Sequence, residues 1–300
     1  MSGKEQFETV KEGLLVRAPA KINLSLLIAG KRPDGFHDIE TVMAKVDFYD
    51  EILIEPGQKS GIELVCKGPH WAPEGKDNLV YRACEMFLNS CGKAADIKIT
   101  LTKNIPAASG LGSASSDAAA ALIGLNKHLD LGQPYGLLAK LAEQLGSDVP
   151  FFLDGPLAFC SGKGEKIKKI EKKIGFAALL ILPNVSVSTK KVYANYRHSP
   201  VVYEKLHAGI NHNIEKNRID LVSEMRANML QTSCFSLYRE LAELKARIES
   251  SDIGPLCLSG SGSALFYIMD SRDEKRASNI QHQLTEKFDC TSIIVSNNGW

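Results

Sequence analysis

The sequence predicts an α+β fold in two domains, 1–165 and 166–300, and three features carry that prediction. An alternating segment at 97–102 reads as a strand. It passes through a Gly/Ser/Ala stretch into an alanine- and leucine-rich helix at 118–129. The latter half reads as helix, strand, Gly/Ser turn, strand, helix and strand, the order of a compact α+β unit. Between the halves, residues 163–173 hold six lysines and two glutamates, the composition of a solvated connection. A chain of 300 residues is long enough for one large or two medium domains.

Taken from the start, 14–18 reads as a strand running into 19–28, Pro-Ala-Lys-Ile-Asn-Leu-Ser-Leu-Leu-Ile. In an extended chain Lys21 and Asn23 share one face, and Ile22 and Leu24 the other. An unpaired buried ammonium is costly, so Lys21 either snorkels to water or faces an anion or a carboxylate. The segment alone leaves both open. Pro33-Asp34-Gly35 signals a turn, with Phe36 and His37 directly after it. The simpler reading is a hairpin turn beside a core aromatic. The other is a ring and an imidazole that stack on and hydrogen-bond a heterocyclic base.

Residues 39–54 read as two strands around Asp47-Phe48-Tyr49-Asp50, and 61–66 as another. The stretch 71–76 reads as loop, and Asp77-Asn78 as the cap of a helix to about Ser90. A helix at 134–145, closed by Gly146, leads into Gly146-Ser147-Asp148-Val149-Pro150-Phe151-Phe152. Pro150 is expected to stop any helix and hold Val149 extended. Asp148 then sits on a constrained turn, either as its N-cap, the reading the turn itself favours, or as a general base shielded by the apolar run. A strand at 158–164 precedes the lysine-rich stretch. In the second half 176–182 reads as a buried strand. Helices are expected around 189–196, 217–229 and 236–250, and a strand–turn–strand at 255–268 around Ser259-Gly260-Ser261-Gly262. A helix at 272–288 and a strand at 291–296 complete the chain.

Charge excludes some function classes. With 36 basic against 35 acidic side chains, neither a nucleic-acid surface nor a polybasic membrane anchor is expected. The seven cysteines are scattered with no Cys-x-x-Cys, and most lie among apolar neighbours. They read as reduced core residues of a cytoplasmic protein. No apolar run approaches the ~18 residues of a membrane span, and the polar start lacks a signal-peptide core.

The chemistry concentrates in 104–117, Asn-Ile-Pro-Ala-Ala-Ser-Gly-Leu-Gly-Ser-Ala-Ser-Ser-Asp. Gly110 and Gly112 allow positive φ and close approach of the backbone to a ligand. Ser115 or Ser116 can cap the following helix, whose first N–H groups lack internal partners and lie at the positive end of the dipole. A phosphate satisfies both. The stretch is neither a Walker A sequence nor Gly-x-Gly-x-x-Gly, since Ser115 stands at the third glycine position. It therefore suggests a nucleoside triphosphate held by a different loop.

Pro19–Leu24, Pro106–Ser116 and Ser259–Gly262 together resemble the three signature motifs of the GHMP small-molecule kinases. Arg32–His37 and Gly146–Phe152 extend the likeness over nearly the whole chain. They bring it closest to the branch that phosphorylates the 2-hydroxyl of a cytidine 5′-diphospho-linked methylerythritol in non-mevalonate isoprenoid synthesis. The resemblance implies a two-domain kinase with the active site in the interdomain cleft, ATP as phosphoryl donor and Mg²⁺. It implies that Asp148 is the catalytic base and Lys21 the catalytic lysine. Pro106, Ala107, Ala108, Ser109, Gly110, Leu111, Gly112, Ser113, Ala114, Ser115 and Ser116 would form the ATP-phosphate loop. It places Phe36 and His37 on the cytosine, Tyr193 over the base's other face, Asn23 near the reacting hydroxyl and Asn78 near the adenosine. A mevalonate- or homoserine-type kinase and a non-catalytic nucleotide-binding protein are the alternatives. The Phe36-His37 pair separates the first of these, and the joint presence of Lys21 and Asp148 the second.

Overall fold

The computed structural model describes residues 4–11, 13–171, 175–251, 253–269 and 274–300. The end of the lysine-rich stretch, 172–173, and the first residues expected in the last helix, 272–273, lie outside the described residues.

Two sheets organise the chain. The first contains β1 (Phe7–Val10), β2 (Gly13–Lys31), β3 (His37–Pro56), β4 (Ile62–Lys67), β5 (Ile97–Thr102), β6 (Leu157–Gly162) and β7 (Lys166–Lys169). Its order is β1-β2-β3-β5-β4, with β6 joining β3 to β7; only β4 and β5 run parallel. The helices of this half are α1 (Leu79–Ser90), α2 (Ser113–His128), α3 (Tyr135–Leu145) and α4 (Val149–Phe152). The second sheet is antiparallel, ordered β11-β8-β10-β9, from β8 (Ala177–Leu182), β9 (Cys257–Leu258), β10 (Leu265–Met269) and β11 (Thr291–Ser296). Around it lie α5 (Thr189–Asn195), α6 (Pro200–Glu215), α7 (Ile219–Glu224), α8 (Gln231–Leu237), α9 (Arg239–Glu249) and α10 (Glu274–Phe288).

The long β2–β3 ribbon connects the two halves. Ala18 to Ile28 of β2 is buried on both faces, which is why it reads as an almost unbroken apolar run. Ile22 and Leu24 face a core shared with Ala178, Leu180 and Phe266 of the second sheet. Further along the ribbon Val16, Ile52 and Ile54 pack under Ala118–Ala121 and Leu125 of α2. The four alanines are all buried, and a Cβ on Gly124 would meet Val16 at 2.7 Å, so α2 lies close on the sheet. Leu179 and Ile181, on the opposite face of β8, join a third core with Leu241, Ile248 and Leu284.

Four expectations change. β3 is one strand, not two: the register slips between Pro19/Ala20, and the pairing Pro19↔Tyr49 then Ala20↔Val46 leaves Asp47 and Phe48 as a bulge. Lys166–Lys169 is an edge strand paired to β6, so the first sheet runs past residue 165; lysines suit an edge that must not pair further. Val149 is helical, because Pro150 falls in the first turn of α4, where a missing N–H costs nothing. Finally, α6 and α8 join the expected helices, and α7 is shorter than the pattern around 217–229.

Candidate active site

Lys21, Asn23, Phe36, His37, Asp148 and Tyr193 line one cavity of about 1230 Å³, together with Pro106–Gly110 and Gly112–Ser115. Leu111 and Ser116 do not line it. The Leu111 side chain is in the core shared by the sheets, and Ser116 is buried in α2. The backbone of Leu111 still takes part, since its carbonyl accepts from Lys21 N at 2.9 Å.

The loop reaches its shape through backbone that favours glycine. Gly110 has φ 79° and Gly112 φ 73°. Gly112, not Ser115 or Ser116, is the N-cap of α2, and the helix starts at Ser113. The serines are therefore inside the first turn, so the free N–H groups of Ser113, Ala114 and Ser115 end at the cavity. Ala108 also takes a left-handed conformation, φ 54°, without being glycine.

The three signature segments are joined by hydrogen bonds. Ser259 Oγ donates to Gly110 O at 2.9 Å, Ala264 N donates to Ser109 O at 2.8 Å, and Asn23 N donates to Ser259 Oγ at 3.4 Å. A Cβ on Gly110 would lie 2.1 Å from Ser259 O, and one on Gly112 would meet Lys21 Cγ at 2.9 Å. Glycine is required at both positions by neighbours as well as by φ.

Lys21 is 4% exposed, and its Nζ donates to Asn23 Oδ1 at 2.5 Å while lying 3.8 Å from Asp148 Oδ2. Burial lowers the Lys21 pKa, and the Asp148 charge opposes the shift. Asp148 stands at the N-cap of α4 but makes no capping bond with its side chain. The carboxylate faces the lysine instead, so the turn's own preference for a cap is overridden. Asn23 Nδ2 donates to Thr41 Oγ1 at 2.8 Å, which fixes the amide's orientation.

At the other end Phe36 is 54% exposed, with Lys163 Nζ 5.0 Å from its ring centroid. The His37 ring lies 5.3 Å from Tyr193 and 5.9 Å, edge-on, from Tyr196. Burial, then the Lys31 charge, lowers the His37 pKa and favours neutral imidazole, which offers one donor and one acceptor. Burial also raises the Tyr193 hydroxyl pKa. Asn78 lines the cavity, but its side chain caps α1, accepting from Val80 N at 2.9 Å and donating to Pro73 O at 2.7 Å.

Sequence reasoning missed the support beneath the loop. Buried Lys103 binds Asp50, Ser113 and, at 2.6 Å, Asp117. Asp50 also accepts from the backbone N of Asn104 at 2.6 Å and of Ile105 at 2.8 Å, pinning the loop's entry. Burial, then Asp50, pushes the Asp117 carboxyl up against the pull of Lys103, while the two acids hold Lys103 charged. The available signal was Asp117 itself, an acid among small residues one helical turn after Ser113.

Among the described residues, no helix is long and apolar enough to cross a membrane, and no three His, Cys, Asp or Glu side chains cluster as a metal cage. The cysteines are free, five of them buried.

The chain is similar to known proteins over most of its length. Residues 78–156 match the model of the GHMP kinases N terminal domain, and residues 210–290 that of the GHMP kinases C terminal. The 4-diphosphocytidyl-2-C-methyl-D-erythritol kinase of Clostridium botulinum (strain Eklund 17B / Type B) is 34% identical over 273 residues, 91% of this chain and 96% of the relative. That of Pelotomaculum thermopropionicum is 36% identical over 272 residues, 90% of this chain and 94% of the relative. A crystal structure of 4-(cytidine 5′-diphospho)-2C-methyl-D-erythritol kinase superposes with TM-score 0.75 at 29% identity, covering 95% of this chain and all of that one (100%). A homoserine kinase from Cytophaga hutchinsonii shares the fold, TM-score 0.74 at 21% identity, over 99% of this chain and 98% of its own.

Proposed function

We propose, from the premise that this chain belongs to the 4-diphosphocytidyl-2-C-methyl-D-erythritol kinases within the GHMP kinase family, that it phosphorylates the 2-hydroxyl of 4-(cytidine 5′-diphospho)-2-C-methyl-D-erythritol. ATP is the phosphoryl donor, and the reaction serves isoprenoid precursor synthesis. The observation that carries the assignment of roles is the meeting of Lys21 and Asp148, distant in the chain, at 3.8 Å in the cavity that also holds the first turn of α2.

The phosphates of ATP lie on the 106–116 loop, where the free N–H groups of α2 and its dipole favour negative charge. The acceptor's cytosine sits against Phe36 and Tyr193 and exchanges hydrogen bonds with His37. Base and loop then fix the two ends of the reacting pair, which is the main requirement of a loose phosphoryl-transfer transition state. The acceptor oxygen forms a bond to the γ-phosphorus, the bond from that phosphorus to the β,γ-bridging oxygen breaks, and ADP leaves. The hydroxyl proton passes to Asp148. Lys21 orients the carboxylate and offsets charge at the transferring group, and Asn23 holds Lys21 and faces the acceptor.

The donor set fits a magnesium ion held mostly by phosphate oxygens and water. Asp117, which lines the cavity, has a buried carboxylate oxygen with no hydrogen-bond partner. Asp117 and the Ser115 hydroxyl would hold such an ion, which when bound neutralises charge on the nucleotide phosphates. The seven free cysteines support a cytoplasmic setting. We divide the chain into two lobes at the segment after β7, with the cavity between them.

A coupled ADP-release assay with the cytidine substrate, mevalonate and homoserine in separate reactions tests the reading. Turnover confined to the first is expected; turnover with either of the others and none with the first rejects it.

A further inference from the structure

The residue opposite Lys21 in the ribbon is also a lysine. Lys21 on β2 and Lys45 on β3 are direct register partners in the antiparallel pair, so their side chains leave the same face of the sheet. Lys45 is 1% exposed, among the largest fully buried side chains, and the mechanism above does not use it.

The two lysines meet opposite ends of one short element. Lys21 faces Asp148 at the start of α4. Lys45 Nζ reaches the end of α4, donating to Phe152 O at 3.2 Å and to Asp154 O. It lies 6.0 Å from the Phe151 ring centroid, and its own backbone N donates to Pro156 O at 2.8 Å. The last carbonyls of a helix lack internal partners and attract a cation. A four-residue helix is too short to hold its own direction; the burial of all four of its residues holds it from the sides, and the contacts at its two ends set how it points.

We propose that Lys45 is a positioning residue for phosphoryl transfer: by gripping the C-terminal carbonyls of α4, it holds Asp148, at the other end of the same turn, at the acceptor hydroxyl. The inference rests on the reading of Asp148 as the base.

The surroundings of Lys45 define how it titrates. Lys21 faces it from β2. Asp154 faces it from the turn after α4, and that carboxylate is itself shared with Lys169 of β7 at 2.5 Å and with Tyr135 of α3 at 3.3 Å. The C-terminal tail covers Lys45, with Asn298 N donating to its carbonyl oxygen at 2.9 Å. Burial lowers the Lys45 pKa to about 7, and Asp154 opposes the shift. Charge-assisted hydrogen bonds are roughly twice as strong as neutral ones, so the grip weakens as the ammonium deprotonates.

The test is the steady-state kinetics of Lys45→Met and Lys45→Gln with thermal melts, beside the wild type and Asp148→Asn. Lys45→Met keeps the volume without the donor, and Lys45→Gln keeps a donor. In Lys45→Met, kcat should fall at least ~10-fold with KM for ATP within ~2-fold, and Lys45→Gln should recover part of the loss. Wild-type kcat should decline above about pH 7 with KM for ATP flat, and the folded Met variant should lack that limb. A purely structural lysine would lower melting temperature and activity together and leave the pH profile of the Met variant the same as that of the wild type. Wild-type kcat in a folded Met variant, a rise in KM for ATP matching the kcat loss, or a folded Met variant that keeps the wild-type pH limb overturns the proposal. If neither variant folds, ¹⁵N-NMR titration of the wild-type Lys45 amine beside the wild-type kcat profile decides: a limb that coincides with the amine's own titration is expected, and a limb elsewhere or none across it overturns the proposal. An inactive Asp148→Asn beside an unaffected Lys45→Met removes only the positioning role; an active Asp148→Asn removes the base on which it rests.

Discussion

Replacing Gly110 by alanine tests whether the phosphate loop depends on close contact with the Ser259–Gly262 turn. Two costs add. A side chain at φ 79° is strained by roughly 1–2 kcal/mol. The added Cβ would also lie 2.1 Å from Ser259 O, where a carbon–oxygen contact needs ~3.3 Å. The neighbour is backbone, tied to the loop by the Ser259 Oγ to Gly110 O and Ala264 N to Ser109 O bonds, so no rotamer change relieves the clash. One backbone or the other must move by about 1 Å, a displacement that costs on the order of 10²-fold in rate at a site built on positioning. The expected result is a fall of about 10²-fold in kcat/KM for ATP, with a loss of roughly 2–3 kcal/mol in stability. Coupled ADP release and denaturant unfolding measure the two. Gly136→Ala is the control, because that helical glycine has open space around it and the change should stabilise by roughly 0.5–1 kcal/mol. If Gly110→Ala keeps kcat/KM within ~3-fold of wild type, the phosphates do not depend on this backbone approach and the loop's role is misassigned.

Three further outcomes are expected. Tyr193→Ala should raise KM for the cytidine substrate at least ~10-fold and leave KM for ATP unchanged, read from initial rates with each substrate varied. Ala108→Gly should release left-handed strain and stabilise the chain by up to about 1 kcal/mol after the entropy of the glycine is subtracted, measured by urea unfolding. Because burial lowers Lys45 to about 7 from an ordinary 10.5, the unfolded chain binds more protons there between those values. The stability of wild type relative to Lys45→Met should therefore rise with pH from about 7 to about 10, by roughly 1.4 kcal/mol per pH unit at most; a pH-independent difference contradicts the burial of an amine.

Local chemistry made the centre of the site legible. Period-two alternation alone put Lys21 and Asn23 on one face, and a strand, glycines and an alanine-rich segment located the loop before α2. What the sequence hid are decisions made by distant partners. Ser115 and Ser116, the expected caps, lie inside α2 because the helix starts earlier, at Ser113 after Gly112, and there the Ser113 hydroxyl is bound by Asp50 and Lys103. The Asp47–Asp50 stretch looked like a break between strands. It is a bulge whose Asp47 accepts from Ser296 N at 2.6 Å and whose neighbour Asp50 pins the entry to the loop. Among the residues of α6 only Ile210 is buried, which leaves no clear apolar stripe to read. Lys45 and Lys103 carry no local signal of what they bind, since their partners lie on other elements.

Single-turnover phosphoryl transfer by Asp148→Asn, with calorimetric affinities for ATP and the cytidine substrate, tests the central assignment most directly. Transfer slowed at least ~10²-fold with both affinities kept is expected of a group that acts only as the bond to phosphorus forms. Transfer at the wild-type rate would remove Asp148, and with it the pairing to Lys21, from the chemistry of this cavity.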